Sequence, residues 1–253
     1  MSADFVERFT GRAAAYSKYR PGYPAENLNI LKSEIDFDKD KTVADIGSGT
    51  GLLSQVFLQN GNTVFGVEPN DDMRSLAEQK LSSFPIFVSV KGTAERTNLT
   101  DSSIDLVTVG QALHWFDRQR TTMEFARILK ENGHVCIAYN DRNKDDSFMQ
   151  GYEAIIGKHA RDRASVPAIG DDYLSKFFRD GMYRKFTLRN EQFLDFEGLL
   201  GRIASASYMP NVTDKERFQA LKNDASLLFK ANGQTGRVRL LYDTVILLGQ
   251  IRN

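Results

Sequence analysis

With one cysteine, Cys136, the chain cannot close a disulfide on itself. That cysteine lies in the apolar run "HVCIAY" and is expected to be a buried thiol in a strand. A reducing, cytoplasmic setting is the expectation that follows. No apolar run approaches the roughly 20 residues that a membrane-spanning helix needs. The opening "MSADFVERFTGR" carries charges throughout and lacks the apolar stretch of a secretory signal. An excess of charge is missing as well, because 33 Lys and Arg face 33 Asp and Glu. No global field draws the chain to nucleic acid or to an anionic membrane. The three histidines, His114, His134 and His159, are too scattered to read as a site, so no metal is expected. No internal repeat or low-complexity tract stands out.

What remains is an ordinary globular composition, 41% hydrophobic and 26% charged over 253 residues. That is enough for one large α/β domain, or for a domain with a smaller cap. Short apolar segments rich in β-branched residues read as strands at 42–46, 63–68, 87–92, 103–110 and 133–140. Helical stretches at 51–60, 71–84 and 117–132 alternate with them. In the last of these, Met123, Ala126, Ile128 and Leu129 fall near helical spacing, and "ENG" reads as its stop. This rhythm predicts a doubly wound, Rossmann-like sheet of seven mostly parallel strands.

After residue 140 the alternation stops. Helices are expected at about 146–160, 171–181, 195–207 and 214–231, and strands at about 182–193 and 237–251. The last two strands would add an antiparallel edge, and cap insertions at about 145–180 and 195–232 would cover the sheet's carboxyl end. The organisation expected is a lid segment (1–34), a cofactor-binding core (35–140) and sheet completion with a helical cap (141–253).

"VADIGSGTGLL" (43–53) places three glycines at alternate positions after the first strand. Glycine inside an element costs roughly 0.5–1 kcal/mol relative to alanine, so three of them imply a tight turn or a close approach to something. Such a turn entering a helix offers free N–H groups to an anion or carboxylate. Glu68 closes the next strand, where a carboxylate can accept both hydroxyls of a ribose. Two ligand classes fit. Nicotinamide or flavin dinucleotides go with G-x-G-x-x-G, whereas the spacing here is G-x-G-x-G with Leu52 following and Asp45 preceding.

At "DIGSGTG" the sequence resembles the class I S-adenosylmethionine-dependent methyltransferases. "VEPNDDMRSLA" is similar to their second-strand acid and following helix, and "GTAERTNLTDSSIDLVTV" to their adenine-side loop and fourth strand. The likeness covers roughly residues 40–140. "FTGRAAAYSKYRPGYP" (9–24) and "QALHWFD" (111–117) are similar to segments of a small-molecule branch that includes methyltransferases of trans-aconitate.

The resemblance implies S-adenosyl-L-methionine as cofactor and assigns residues to it. Gly47, Ser48 and Gly49 would lie against its methionine part, and Asp45 would hold the region of its amino group. Glu68, with Pro69 beside it, would take the ribose. Thr93, Ala94 and Glu95 occupy the adenine-side position, with Thr93 where many members carry an acid. Gln111 would line the methionine side. Tyr16 and Arg20 belong to a segment that would fold over the cofactor, and Arg20 suits a carboxylate. His114 and Trp115 stand where the methyl emerges, His114 as a base if one is needed and Trp115 as a wall against water. Arg202, Ser205 and Tyr208 would face the substrate.

Methyl transfer from a sulfonium is an in-line displacement with a neutral leaving group, so the protein mainly aligns the reactants and excludes water. A carboxylate acceptor needs no base; a hydroxyl or amine needs one. The expected partner is a small-molecule acceptor, with a carboxylate as the candidate class, nucleic acid and membrane not expected and the oligomeric state left open. The "N/D-P-P-Y/F" signature of enzymes that methylate amide or exocyclic nitrogens is missing. The aromatics Phe148, Tyr152, Tyr173, Phe177, Phe178 and Tyr208 are expected to roof a pocket. A nicotinamide oxidoreductase and a non-catalytic cofactor-binding module are the alternatives.

Overall fold

The computed structural model describes residues 13–161, 169–210, 213–233 and 236–251. Four short apolar segments, β1 (Val43–Ile46), β2 (Val64–Val67), β3 (Phe87–Val90) and β4 (Ile104–Gly110), are joined in parallel pairs. β5 (Leu129–Arg142) extends the sheet beyond β4. β6 (Arg184–Leu194) and β7 (Val238–Gly249) complete seven strands in the order β3-β2-β1-β4-β5-β7-β6. β7 runs antiparallel to both neighbours, so the antiparallel edge is a pair of strands with the reversed one inside.

The helices follow from local signals. Ahead of β1 come α1 (Ala13–Tyr19) and α2 (Asn27–Ile35). The crossovers are α3 (Ser54–Asn60), α4 (Asp71–Lys80) and α5 (Arg118–Ile128). Asn70 caps α4 by accepting from the Met73 amide, and Asp117 caps α5 by accepting from the Arg120 amide. After β5 come α6 (Ser147–His159), α7 (Asp171–Phe177), α8 (Phe196–Ala204) and α9 (Lys215–Asn232).

Central strands are buried on both faces, as crossover helices on either side require. On one face Val107, Val109 and Ile137 pack with Phe125 and Ile128 of α5. On the other, Val43, Leu106 and Ala138 meet Leu31 and Phe57. Cys136 lies in that second layer at 4% exposure, and burial pushes its thiol up to about 12. A third cluster joins α6, α8 and α9 around Val238, Leu240 and Tyr242, at the end of the sheet where β5 finishes.

Two expectations are corrected. α5 stops at Ile128 rather than near residue 132, because Leu129 already pairs with Ile104 as the start of β5. Its buried face is Thr121, Phe125 and Ile128, and Met123 points outward with 67% exposure. α7, grouped with the cap on sequence, packs on the sheet face instead, with the Phe177 ring edge-on to Phe125 at 6.1 Å.

The strand order reverses between β1 and β4, which opens a crevice above their carboxyl ends. The glycine loop crosses it. Gly51 has φ +79°, and a Cβ there would meet Leu81 Cδ1 at 2.6 Å. Gly51→Ala should therefore cost roughly 1–3 kcal/mol of stability. Urea unfolding measures it, and an unchanged midpoint would show that Leu81 yields freely.

Candidate active site

The loop after β1 is stitched to β2. The amides of Gly47 and Ser48 both donate to the Val67 carbonyl, at 2.9 and 3.2 Å. The Gly49 amide donates to Glu68 Oε2 at 2.9 Å, and the Gly51 amide to the Ser48 carbonyl at 2.9 Å. The expectation of free N–H groups is thus corrected at these four positions, where the fold itself uses the donors. What the glycines provide is shape and room. Gly47 has φ +68° and sits so close to Ala112 that a Cβ would approach its Cβ to 2.8 Å; at Gly49 nothing lies within 4 Å of that position.

Two buried carboxyl groups flank the loop. Asp45, in β1, is 1% exposed; its Oδ2 accepts from Ser54 Oγ at 2.6 Å, while Oδ1 is buried without a partner. Burial, helped by the nearby Glu68 charge and opposed by the Ser54 bond, raises its pKa to about 7. Glu68, just past β2, accepts from the Gly49 and Asn70 amides, each at 2.9 Å. Burial raises its pKa as well, with the two amide bonds opposing.

A cleft opens over the loop, lined by Asp45, Gly47, Ser48, Gly49 and Gln111 on one side and by Tyr16 and Arg20 on the other. Gln111 holds a left-handed backbone (φ +56°), its amide bonded to the Ala138 carbonyl and its side chain donating to the Asn140 carbonyl at 3.2 Å. Arg202 lines the same cleft from α8. Arg20 stacks over Tyr16 at 4.7 Å and donates to the Ser205 carbonyl at 3.3 Å. Burial and the neighbouring Arg202 charge lower its pKa.

The remaining candidates spread outward. Pro69 is half-buried between Glu68 and Asn70. Thr93 pairs with Arg96 across a tight turn, Ala94 is buried in the core, and Glu95 accepts from the Asp117 amide at 3.0 Å. Glu95 therefore ties the adenine-side loop to the start of α5. His114 and Trp115 form one turn of 3-10 helix, their rings 4.4 Å apart. Burial and the Arg20 charge lower the His114 pKa to about 4. His114 faces a second cavity, shared with Gln111, Tyr139 and Asp141.

Of the three substrate-side residues, the structure brings only Arg202 to the cleft lining. Ser205 turns its hydroxyl to the Arg202 carbonyl at 2.8 Å, and Tyr208 accepts from Arg142 at 3.3 Å. The cap aromatics Phe148, Tyr152, Phe177 and Phe178 fill cores instead of roofing a pocket. Among the described residues, the aromatics lining the cleft are Tyr16 and Tyr23.

Sequence reasoning missed the amide network that holds the roof. Asn140 and Asn190 both donate to the Gly22 carbonyl, at 3.1 and 2.9 Å, and Asn140 Oδ1 accepts from Thr244. Gln192 donates to the Tyr19 carbonyl at 3.0 Å. Asn140 did carry a signal: it is a polar residue closing a buried strand, as Glu68 is. The partners on β6 and β7 carried none.

Residues 44–137 match the methyltransferase domain family. An uncharacterized methyltransferase of Mycobacterium tuberculosis is 33% identical over 167 residues, 65% of this chain and 66% of that protein. The match thus spans just under two thirds of the length of these curated relatives. An uncharacterized methyltransferase-like protein of Schizosaccharomyces pombe is 24% identical over 95% of this chain and 94% of its own. A solved structure from Anaeromyxobacter dehalogenans, a candidate type II methyltransferase, shares the fold with a TM-score of 0.70 at 21% identity, covering 92% of this chain and 98% of that one. Residues 44–137 are thus similar to methyltransferase domains, and the chain shares its fold with a solved structure of that kind.

Asp45 gives this site a pH signature. Its folded pKa of about 7 lies above the ordinary 3.8, so the folded protein holds the proton more tightly than the unfolded chain. Stability then falls as pH rises from about 4 through about 7. Asp45→Asn should exceed the wild type by roughly 1–3 kcal/mol at pH 8, with the gap closing toward pH 4. Thermal melts of the cofactor-free protein across that range test this, and a pH-independent gap would contradict it.

Proposed function

We propose that the protein transfers the methyl group of S-adenosylmethionine to a carboxylate oxygen of a small-molecule acceptor. The observation that carries the reading is the roof: Tyr16, Arg20, Pro21 and Tyr23 line the same cleft as the glycine loop and cover it. A roofed chamber excludes water and fixes alignment, which is what displacement at a sulfonium methyl needs. It does not suit a groove for a polymer.

In this reading Asp45 faces the cofactor's ammonium and Arg20 its carboxylate, with Tyr16 and Gln111 alongside. Glu68 and Pro69 meet the ribose. Thr93, Ala94 and Glu95 form the adenine side, and Trp115 shields the reacting end. When bound, the cofactor supplies a methyl on an already activated leaving group. With a pKa near 4, His114 is neutral at physiological pH and a poor proton acceptor. That supports an acceptor that has no proton to lose, such as a carboxylate.

Calorimetry with S-adenosylhomocysteine and with NADH separates the cofactor classes, and heat with the dinucleotide alone would end this reading. Glu68→Ala should weaken S-adenosylhomocysteine by about 1–3 kcal/mol. A metabolite screen for methyl incorporation tests catalysis. Efficient methylation of RNA or protein, with no small acid accepted, would overturn the acceptor class. His114→Gln should reduce turnover modestly and leave the acidic side of the pH–rate profile unchanged; losing a titrating limb near pH 4 would mark His114 as a base and the acceptor as a hydroxyl or amine.

A further inference from the structure

Gly110 closes β4, where the sheet opens into the cleft. A glycine in a strand marks a place where something approaches the backbone closely. Here that neighbour is Tyr23: a Cβ on Gly110 would meet the Tyr23 hydroxyl oxygen at 2.8 Å and Cζ at 3.3 Å, with Leu53 Cδ2 at 3.1 Å. Tyr23 and Gly110 both line the cleft, so the tip of the phenol lies where the roof meets the end of β4. The backbone holds it there. Pro21 and Pro24 restrict the chain on either side, and the intervening Gly22 carbonyl accepts from Asn140 at 3.1 Å and from Asn190 at 2.9 Å.

The Tyr23 ring packs against the layer that contains Leu31 and Phe57. Its hydroxyl has no such use. Among the described residues the oxygen has no hydrogen-bond partner, and it is open to the cleft. Phenylalanine would fill the same space, and a half-buried tyrosine ordinarily finds a partner for its O–H. Burial holds the pKa well above the usual tyrosine value, so the group keeps its proton and remains a neutral donor. Under the reading above, the cofactor's polar groups are already answered: its ammonium by Asp45, its carboxylate by Arg20 and its ribose by Glu68. The Tyr23 donor is left for the second ligand.

We propose that the Tyr23 hydroxyl, seated over Gly110, donates a hydrogen bond to the acceptor's carboxylate and aligns it for attack. The inference rests on the methyl-transfer reading and deepens it. One carboxylate oxygen accepts from Tyr23 while the other attacks the methyl carbon. The O–C bond forms as the S–C bond breaks, and the electron pair of the broken bond stays on sulfur as a neutral thioether. Tyr23 keeps its proton throughout. Gly110 is a positioning residue in this scheme, because its missing side chain is the room the hydroxyl occupies.

The test assays the full chain with labelled S-adenosylmethionine and with acetate, succinate and benzoate as acceptors. At least one of the three should be methylated. Tyr23→Phe should raise the KM of that acid roughly tenfold, while calorimetry finds the affinity for S-adenosylhomocysteine within about twofold of the wild type. Gly110→Ala should raise the acceptor KM too, by displacing the hydroxyl. Added to Tyr23→Phe, it should change the KM by no more than about twofold, because the displaced atom is already gone. A role in packing alone would give neither the KM effect nor this lack of additivity. Tyr23→Phe keeps the ring, so it carries the test by itself should Gly110→Ala fail to fold. An acceptor KM indifferent to Tyr23→Phe, a loss confined to S-adenosylhomocysteine affinity, or methylation of none of the three acids would each overturn the Tyr23 assignment while leaving the cofactor reading intact. Failure of the wild type to bind S-adenosylhomocysteine would instead bring down that reading, and the assignment with it.

Discussion

The geometry of the cleft depends on Glu68 accepting two backbone amides. A carboxylate this buried would be unfavourable alone, and the Gly49 and Asn70 amides offset part of that cost. The bond to Gly49 holds the glycine loop against the end of β2, and the bond to Asn70 orients the residue that caps α4. Gly47 and Ser48 add two more ties, both to Val67. The loop's shape is therefore set by the sheet, before any ligand arrives. A ligand that engages Glu68 finds a carboxylate already oriented and already partly satisfied.

The parallel core was legible because each of its signals is local. Short apolar runs, N-caps such as Asn70 and Asp117, and the spacing of glycines 47, 49 and 51 all act within a few residues. Asp45 and Glu68 could be read for the same reason: a carboxylate in or just past a buried strand has few explanations. Long-range packing was not legible. Whether Phe177 fills a core or roofs a pocket depends on Phe125, more than fifty positions away. Ser205 and Tyr208 have the right chemistry for a binding wall, yet their neighbours Arg202 and Arg142 engage their polar atoms. The boundary at Leu129 escaped because pairing with Ile104 overrides a helical pattern that would otherwise run on.

Charge in the cleft is distributed in a way that overall neutrality hides. Asp45 lines the cleft from β1, Glu68 sits against the glycine loop at Gly49, Arg20 and Arg202 line the cleft from the roof and the cap, and the chain still sums to zero. Burial raises the carboxyl pKa values and, with a neighbouring arginine charge, lowers those of Arg20 and His114. The site is polarised from floor to roof, so a ligand with opposite charges at its two ends has a preferred direction.

The roof is made early in the chain but fastened late. Its Gly22 carbonyl is held by Asn140 and Asn190, its Tyr19 carbonyl by Gln192, and Arg20 by the Ser205 carbonyl, while Thr244 orients Asn140. During synthesis the first five strands emerge with the glycine loop, yet most of these fasteners are still in the ribosome. A nascent chain up to about β5 has the floor of the site and one fastener of its cover. Closure waits until β6 and β7 have joined the sheet beyond β5, so a chain that stops short of them is kept from forming the closed chamber.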